Sequence, residues 1–273
     1  MVKMDRAFVF NITCIGYSHL KENKTGQDFS GVWASGKNAI AAVADGHGGD
    51  SYYRSDRGAQ FAVEAALECI KEYLNINTTP FINHSKSLLV LEKSIIALWH
   101  KKVEDDVKNN SIEPIKGDIF TPYGTTLIAA AVTEHYWFAI QIGDGKCVVL
   151  DDETISQPIP WDEKCFLNQT TSLCDDDAIS QFRHYYDENL PGFIFLGTDG
   201  IDDSFPIKEN EKYLGKFYLN VCETLFIDNS KNFLTEDLML WRDQLDEMLY
   251  KLSKKGSGDD ISIAGIICKF INS

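Results

Sequence analysis

Residues 124–150 read GTTLIAAAVTEHYWFAIQIGDGKCVVL. Three apolar runs, 124–132, 136–142 and 146–150, are rich in β-branched and aromatic residues and read as strands. Thr133-Glu134-His135 and Gly143-Asp144-Gly145 link them, and both links are hairpin-sized. Parallel strands would need a long crossover, usually a helix, and no room is left for one. The stretch therefore predicts an antiparallel meander.

Two helical patterns lie upstream. Ala59, Ala62, Val63, Ala66, Leu67, Ile70, Tyr73 and Leu74 share one face of a helix over 59–74, with Gln60, Glu64, Glu68 and Lys71 opposite. Leu88, Leu91, Ile95, Leu98, Trp99 and Val103 form the stripe of a second helix over 87–107. Nearer the start, 7–15 (AFVFNITCI) reads as a strand and 16–26 as polar and turn-rich. Residues 31–33 and 39–44 form a hairpin through Ser35-Gly36-Lys37-Asn38.

Downstream, 151–190 holds Pro158, Pro160, Asp175-Asp176-Asp177 and few periodic positions, and predicts a surface excursion with one or two short helices. Phe193 to Leu196 reads as a buried strand. One helix follows Ser204 and Pro206, reaching about Leu225. Thr235 caps another, with Leu238, Trp241, Leu245, Met248, Leu249 and Leu252 on one face. Ile261 to Cys268 is the last strand. Hairpin strands in groups, with helix pairs between them, predict antiparallel sheets covered by helices in a layered α+β domain. No linker divides the chain, so a single domain over 1–273 is expected.

Composition narrows the function. The formal net charge of -15, with no basic stripe to offset it, argues against duplex nucleic acid and acidic membrane surfaces as partners. The seven cysteines are scattered without a Cys-x-x-Cys pair, which argues against a zinc site and a disulfide framework. They suit a reducing compartment. Met1 to Phe10 carries charges and lacks the apolar core of a signal peptide, and no run has the length of a membrane span. A cytoplasmic location is expected.

The acids carry the chemistry. Residues 41–50 (AAVADGHGGD) end a buried strand on Asp45, beside glycines. Asp144, Asp199 and Asp259 also sit at strand borders or in tight turns, and Asp28 joins them if the first strands pair as a hairpin. Any one alone reads as a turn residue. Several brought together repel and bind protons, unless hard divalent cations intervene. An oxygen-only donor set suits magnesium or manganese rather than zinc.

Asp45-Gly46-His47-Gly48-Gly49, Gly124-Thr125-Thr126, Gly143-Asp144-Gly145, Asp199-Gly200 followed by Asp202-Asp203, and Asp259-Asp260-Ile261-Ser262 form an ordered set, preceded by Gln27-Asp28. In order and rough spacing this set resembles the metal-dependent serine/threonine protein phosphatases of type 2C, the PPM-type family. The resemblance covers about residues 8–270, and Gly16-Tyr17-Ser18-His19 resembles a bacterial subgroup. It implies an α-β-β-α sandwich of two packed antiparallel sheets flanked by helix pairs. It implies that Asp45 bridges two Mg²⁺ or Mn²⁺ ions, with the Gly46 carbonyl on one. Asp199 and Asp259 would complete the first ion's shell, Asp28 would act through bound water, and Asp144 with Asp199 would hold a weaker third ion. The implied reaction is hydrolysis of phosphoserine and phosphothreonine in proteins by a hydroxide held between two metals, with His47 as general acid. A cognate serine/threonine kinase is an expected partner, and 151–190 occupies the place of the family's flap.

Two features depart from the family pattern. Family members often carry a phosphate-binding arginine before the early acid, and none lies between Ala7 and Asp28. Lys21, Lys24 and His19 are the nearby candidates, and Arg54 and Arg57 the more distant ones. Gly145-Lys146 stands where serine and arginine often follow the Asp. These departures motivate an alternative, a catalytically weak or inactive regulatory module on the same fold. Asp260 is expected to orient its turn or a bound water, and Asp202 and Asp203 to cap the helix after Pro206.

Overall fold

The computed structural model describes residues 2–80, 83–110, 118–151, 154–165, 169–206, 208–226 and 235–270. Among the described residues, ten strands form two antiparallel sheets. The first has the order β1 (Val2–Cys14), β10 (Ile261–Phe270), β9 (Phe193–Gly197), β6 (Lys146–Asp151), β7 (Thr154–Ser156). The second has the order β2 (Phe29–Ser35), β3 (Asn38–Ala44), β4 (Leu127–Val132), β5 (Trp137–Ile142), β8 (Arg183–Asp187). The helices are α1 (Tyr17–Glu22), α2 (Ser55–Ile76), α3 (His84–Asn109), α4 (Ala178–Gln181), α5 (Asp199–Asp202), α6 (Asn210–Phe226) and α7 (Thr235–Lys255).

Alternate residues of a strand face opposite ways, so a strand between two layers must be apolar throughout. β3 shows this. Ile40, Ala42 and Ala44 pack with α2 and α3, while Ala39, Ala41 and Val43 meet the other sheet. On the far side, Phe193 and Phe195 of β9 pack with Tyr218, Trp241 and Leu249 of α6 and α7. The result is the expected sandwich of helix pair, sheet, sheet and helix pair. The Thr235 cap and the place of Leu238 lie outside the described side chains.

The meander fails at its second link. β4 and β5 pair as expected, but β6 leaves that sheet and pairs with β9 and β7. Gly143-Asp144-Gly145 is a corner between sheets. Gly143 has φ +104, and a Cβ there would lie 2.5 Å from the Thr126 side chain. A short glycine link serves a hairpin or an inter-sheet corner equally well, and link length does not separate them.

The excursion at 151–190 also differs from expectation. It contains the short helix α4, but it supplies edge strands to both sheets, β7 to one and β8 to the other. Short edge strands carry too little alternation to show in sequence. Residues 16–26, read as turns, contain α1.

Candidate metal centre

Strand register brings the acids to one end of the sandwich. Phe29 pairs with Ala44, so Asp28 just before β2 and Asp45 just after β3 are neighbours in the second sheet. In the first sheet Gly197 pairs with both Ile263 and Lys146. That puts Asp199 after β9, Asp259 before β10 and Asp144 before β6 at matching strand ends. Each sheet supplies acids to the seam between them.

Backbone contacts fix Asp45. Its N–H donates to Thr126 Oγ1 at 3.0 Å, and its carbonyl accepts from Thr126 N–H at 2.9 Å and Thr125 Oγ1 at 2.8 Å. Gly46 donates to the Gln27 carbonyl at 3.2 Å, and a Cβ on it would lie 2.6 Å from the Ser55 carbonyl oxygen. Close backbone packing therefore requires glycine there. Asp28, 7% exposed, accepts at Oδ2 from Thr198 Oγ1 at 2.8 Å. Asp260 does not face the others freely. Oδ1 accepts from Gly16 N–H at 2.5 Å and His19 Nδ1 at 3.0 Å, and Oδ2 from Gln27 N–H at 2.5 Å. It ties the 16–27 loop to the start of β10, as a turn-orienting residue should.

Desolvation and neighbouring carboxylates act on these acids in the same direction. Burial, then Asp260, pushes Asp28 well above the usual carboxylate range. Burial, then Asp199 and Asp28, does the same to Asp45. Asp199 is raised to about 7 by burial and then by Asp144. Burial raises Asp144 and Asp259 as well. Like charges in a desolvated space hold protons when no cation offsets them. Of the basic side chains nearby, Lys146 pairs with Asp202, and His19 is hydrogen-bonded to Asp260. His19, Asp259 and Asp260 each offer a donor atom within 4.8 Å of the others, but hydrogen bonds already occupy both Asp260 oxygens. Hard carboxylate oxygens from the buried Asp28, the half-buried Asp45, Asp144 and Asp199 and the exposed Asp259 suit Mg²⁺ or Mn²⁺ as donor types.

His47 follows directly. Its N–H donates to the Gly124 carbonyl at 3.0 Å, and its ring meets Tyr52 edge-on with centroids 5.0 Å apart. A Cβ on Gly124 would lie 2.8 Å from His47 Cδ2, so the glycine of Gly124-Thr125-Thr126 leaves room for the imidazole. Burial lowers the imidazole to about 4, which leaves it neutral near pH 7.

The phosphate-binding candidates are mostly committed elsewhere. Arg54 Nη2 and Arg57 Nη2 reach the two oxygens of Asp106 at 2.8 and 2.9 Å. Tyr123 Oη and Asn110 Nδ2 complete that buried node, each at 2.7 Å. Lys24 pairs with Glu22 at 2.6 Å, and Lys21 Nζ sits 4.6 Å from the Tyr17 ring centroid.

Sequence reasoning missed the partners of these groups. Asp202 was expected to cap the helix after Pro206. It ends α5 instead, and its carboxylate pairs with Lys146, while α6 begins only at Asn210. Nothing in the sequence links Lys146 to Asp202, because their strand and helix meet only in the folded sheet. An open cleft of ≈ 240 Å³ adjoins the acids, lined by Asp144, Asp199, Asp202, Asp203, Lys146 and Trp161 among others.

The family described as Protein phosphatase 2C matches residues 15–248, most of the chain, and the protein belongs to that family. Among solved structures, the fold resembles the catalytic domain of the serine threonine protein phosphatase PstP in complex with 2 manganese ions. That match has a TM-score of 0.59 at 14% identity, over 97% of this chain and 99% of the other. The Mycobacterium tuberculosis serine/threonine phosphatase PstP/Ppp gives 0.58 at 14%, over 97% and 100%. PppA, a key regulatory component of T6SS in Pseudomonas aeruginosa, gives 0.58 at 13%, over 97% and 99%. No curated protein matches the chain. Identities this low establish the shared fold. No helix among the described residues is long and apolar enough to cross a membrane.

Proposed function

We propose that the protein is a Mg²⁺- or Mn²⁺-dependent phosphoserine/phosphothreonine protein phosphatase. The carrying observation is the strand register that brings Asp28, Asp45, Asp199 and Asp259 from two sheets to one end of the sandwich, where desolvation and neighbouring carboxylates hold each above its ordinary pKa. In this reading Asp45, the Gly46 carbonyl, Asp199 and Asp259 would hold two ions, Asp28 would act through bound water, and Asp144 with Asp199 would hold a third. Bound there, divalent ions supply Lewis acidity, activating water for attack and neutralising charge on the phosphoryl oxygens.

The chain's own groups do the rest. Thr125 and Thr126 lock the backbone of Asp45, and Thr198 fixes one oxygen of Asp28, so the carboxylates need little rearrangement. His47 is neutral in the free enzyme. An arriving phosphoryl dianion favours protonation of a ring nitrogen, and that proton passes to the departing seryl or threonyl oxygen. The 151–190 stretch acts as the flap beside the site. The substrates are phosphorylated proteins, with a serine/threonine kinase as the opposing partner. Cys14, Cys69, Cys147, Cys165 and Cys174 are free thiols, which supports a cytoplasmic setting.

Manganese should stimulate hydrolysis of an aryl phosphate, and EDTA or Asp199→Asn should abolish it. Wild-type turnover by Asp199→Asn at saturating manganese would refute the assignment. A second reading, a non-catalytic module, draws on the engagement of one amino group each of Arg54 and Arg57 with Asp106. Calorimetry beside the assay separates the two: tight manganese binding without turnover favours the module.

A further inference from the structure

Arg183, the first residue of β8, reaches two separate loops. Its Nη2 donates to the Gly143 carbonyl and its Nη1 to the Pro160 carbonyl, both at 2.5 Å. Its Nε lies 3.7 Å from Asp162 Oδ2. Gly143 opens the corner that carries Asp144. Pro160 and Asp162 flank Trp161, which lines the cleft beside the acids.

The corner is gripped from other sides too. Gln141 Nε2 donates to the Gly143 and Gly145 carbonyls at 3.2 and 2.6 Å. Thr171 Oγ1 accepts the Gly143 N–H at 2.9 Å and sits 3.3 Å from Asp162 Oδ2 as a donor. The backbone flanking Asp144 is therefore joined through Arg183 and Thr171 to the loop around Trp161. The corner has little slack, because four hydrogen bonds hold the Gly143 and Gly145 backbone. A shift of the loop is passed to Asp144 rather than absorbed. A guanidinium suits this task, since its rigid planar fork holds two carbonyls at a fixed separation and a lysine ammonium does not.

We propose that Arg183 is a positioning residue that couples the Trp161 loop to the outer ion held by Asp144. Seating of a phosphoprotein against this loop and occupancy of the outer ion then reinforce each other, as reciprocal linkage requires. The inference rests on the metal assignment made above.

The test titrates manganese into the metal-free full chain by calorimetry for wild type, Arg183→Ala and Arg183→Lys. Turnover of a phosphopeptide and of an aryl phosphate is measured beside it. Arg183→Ala should weaken the lower-affinity manganese event roughly tenfold, the scale of groups that orient a metal ligand, and leave the tighter events in place. Its kcat/KM should fall several-fold more for the phosphopeptide than for the aryl phosphate, and Arg183→Lys should not restore either readout. A folded Arg183→Ala with the wild-type isotherm and the wild-type peptide-to-aryl ratio overturns the proposal. If Arg183→Ala does not fold, Asp162→Asn decides. It loosens only the loop side, and it should move both readouts in the same direction; unchanged readouts overturn the proposal. Absence of manganese binding by the wild type overturns the metal assignment and this inference together, a result distinct from a normal wild-type isotherm that Arg183 does not influence.

Discussion

Asp45 ends a strand of one sheet and Asp199 follows a strand of the other, so folding forces together carboxylates that would otherwise avoid each other. Without cations the folded chain meets that cost by holding protons. Asp199, near 3.8 ordinarily, rises to about 7. The folded metal-free chain binds this proton more tightly than the unfolded chain, so stability rises as pH falls from 8 towards 6. Asp199→Asn removes one of the repelling charges. Its metal-free Tm at pH 8 should exceed that of wild type by a few degrees, and the pH 8-to-6 gain should shrink; about 1–2 kcal/mol is the usual scale for relieving such a site. A lower Tm for the variant at pH 8, measured by calorimetric scans, would contradict the repulsion. At this scale the sequence was informative. Strand-end acids beside glycine set Asp45 and Asp199 apart as candidates, and the family resemblance added His47, whose ring lies against Gly124. The engagement of Arg54 and Arg57 was hidden, because their partner Asp106 lies about fifty residues away on another helix.

That Asp106 node shows how elements position the site. It joins the C-terminal end of α3 to the N-terminal end of α2 and to Tyr123, one residue before Gly124, which carries the backbone partner of His47. Asp106→Ala strands two guanidinium groups and a buried hydroxyl. It should cost about 2–4 kcal/mol of stability and reduce turnover more than manganese affinity, because the ends holding His47 loosen while the acids stay in place. Chemical denaturation and a manganese titration check the two halves; wild-type turnover in a destabilised variant would break the link to His47. Elements were legible in proportion to their periodicity. α2, α3 and β3 carry long stripes and were readable, with both helices starting a few residues early. β7 and β8 are short edges without a pattern. The Gly143–Gly145 corner looked like a hairpin because sequence gives the length of a link and not the sheet to which the next strand belongs.

For the whole molecule, the sandwich brings two sets of acids to one seam, which in the proposed reading divalent cations would complete. The fold class was readable from grouped strands and paired helices, while the crossing of β6 between sheets was not. Ions that bind only the folded chain must stabilise it by mass action, about 2.7 kcal/mol at a hundredfold excess over Kd. Millimolar manganese should therefore raise the Tm of wild type by several degrees and leave Asp199→Asn nearly unmoved. An equal shift in both proteins would place the stabilising ion elsewhere. The most direct test of the central claim is anomalous diffraction at the manganese edge from crystals soaked in manganese. The account predicts two strong peaks within coordination distance of Asp45, one of them also touching Asp199 and Asp259. Strong peaks only at other positions, or none at Asp45, would contradict it.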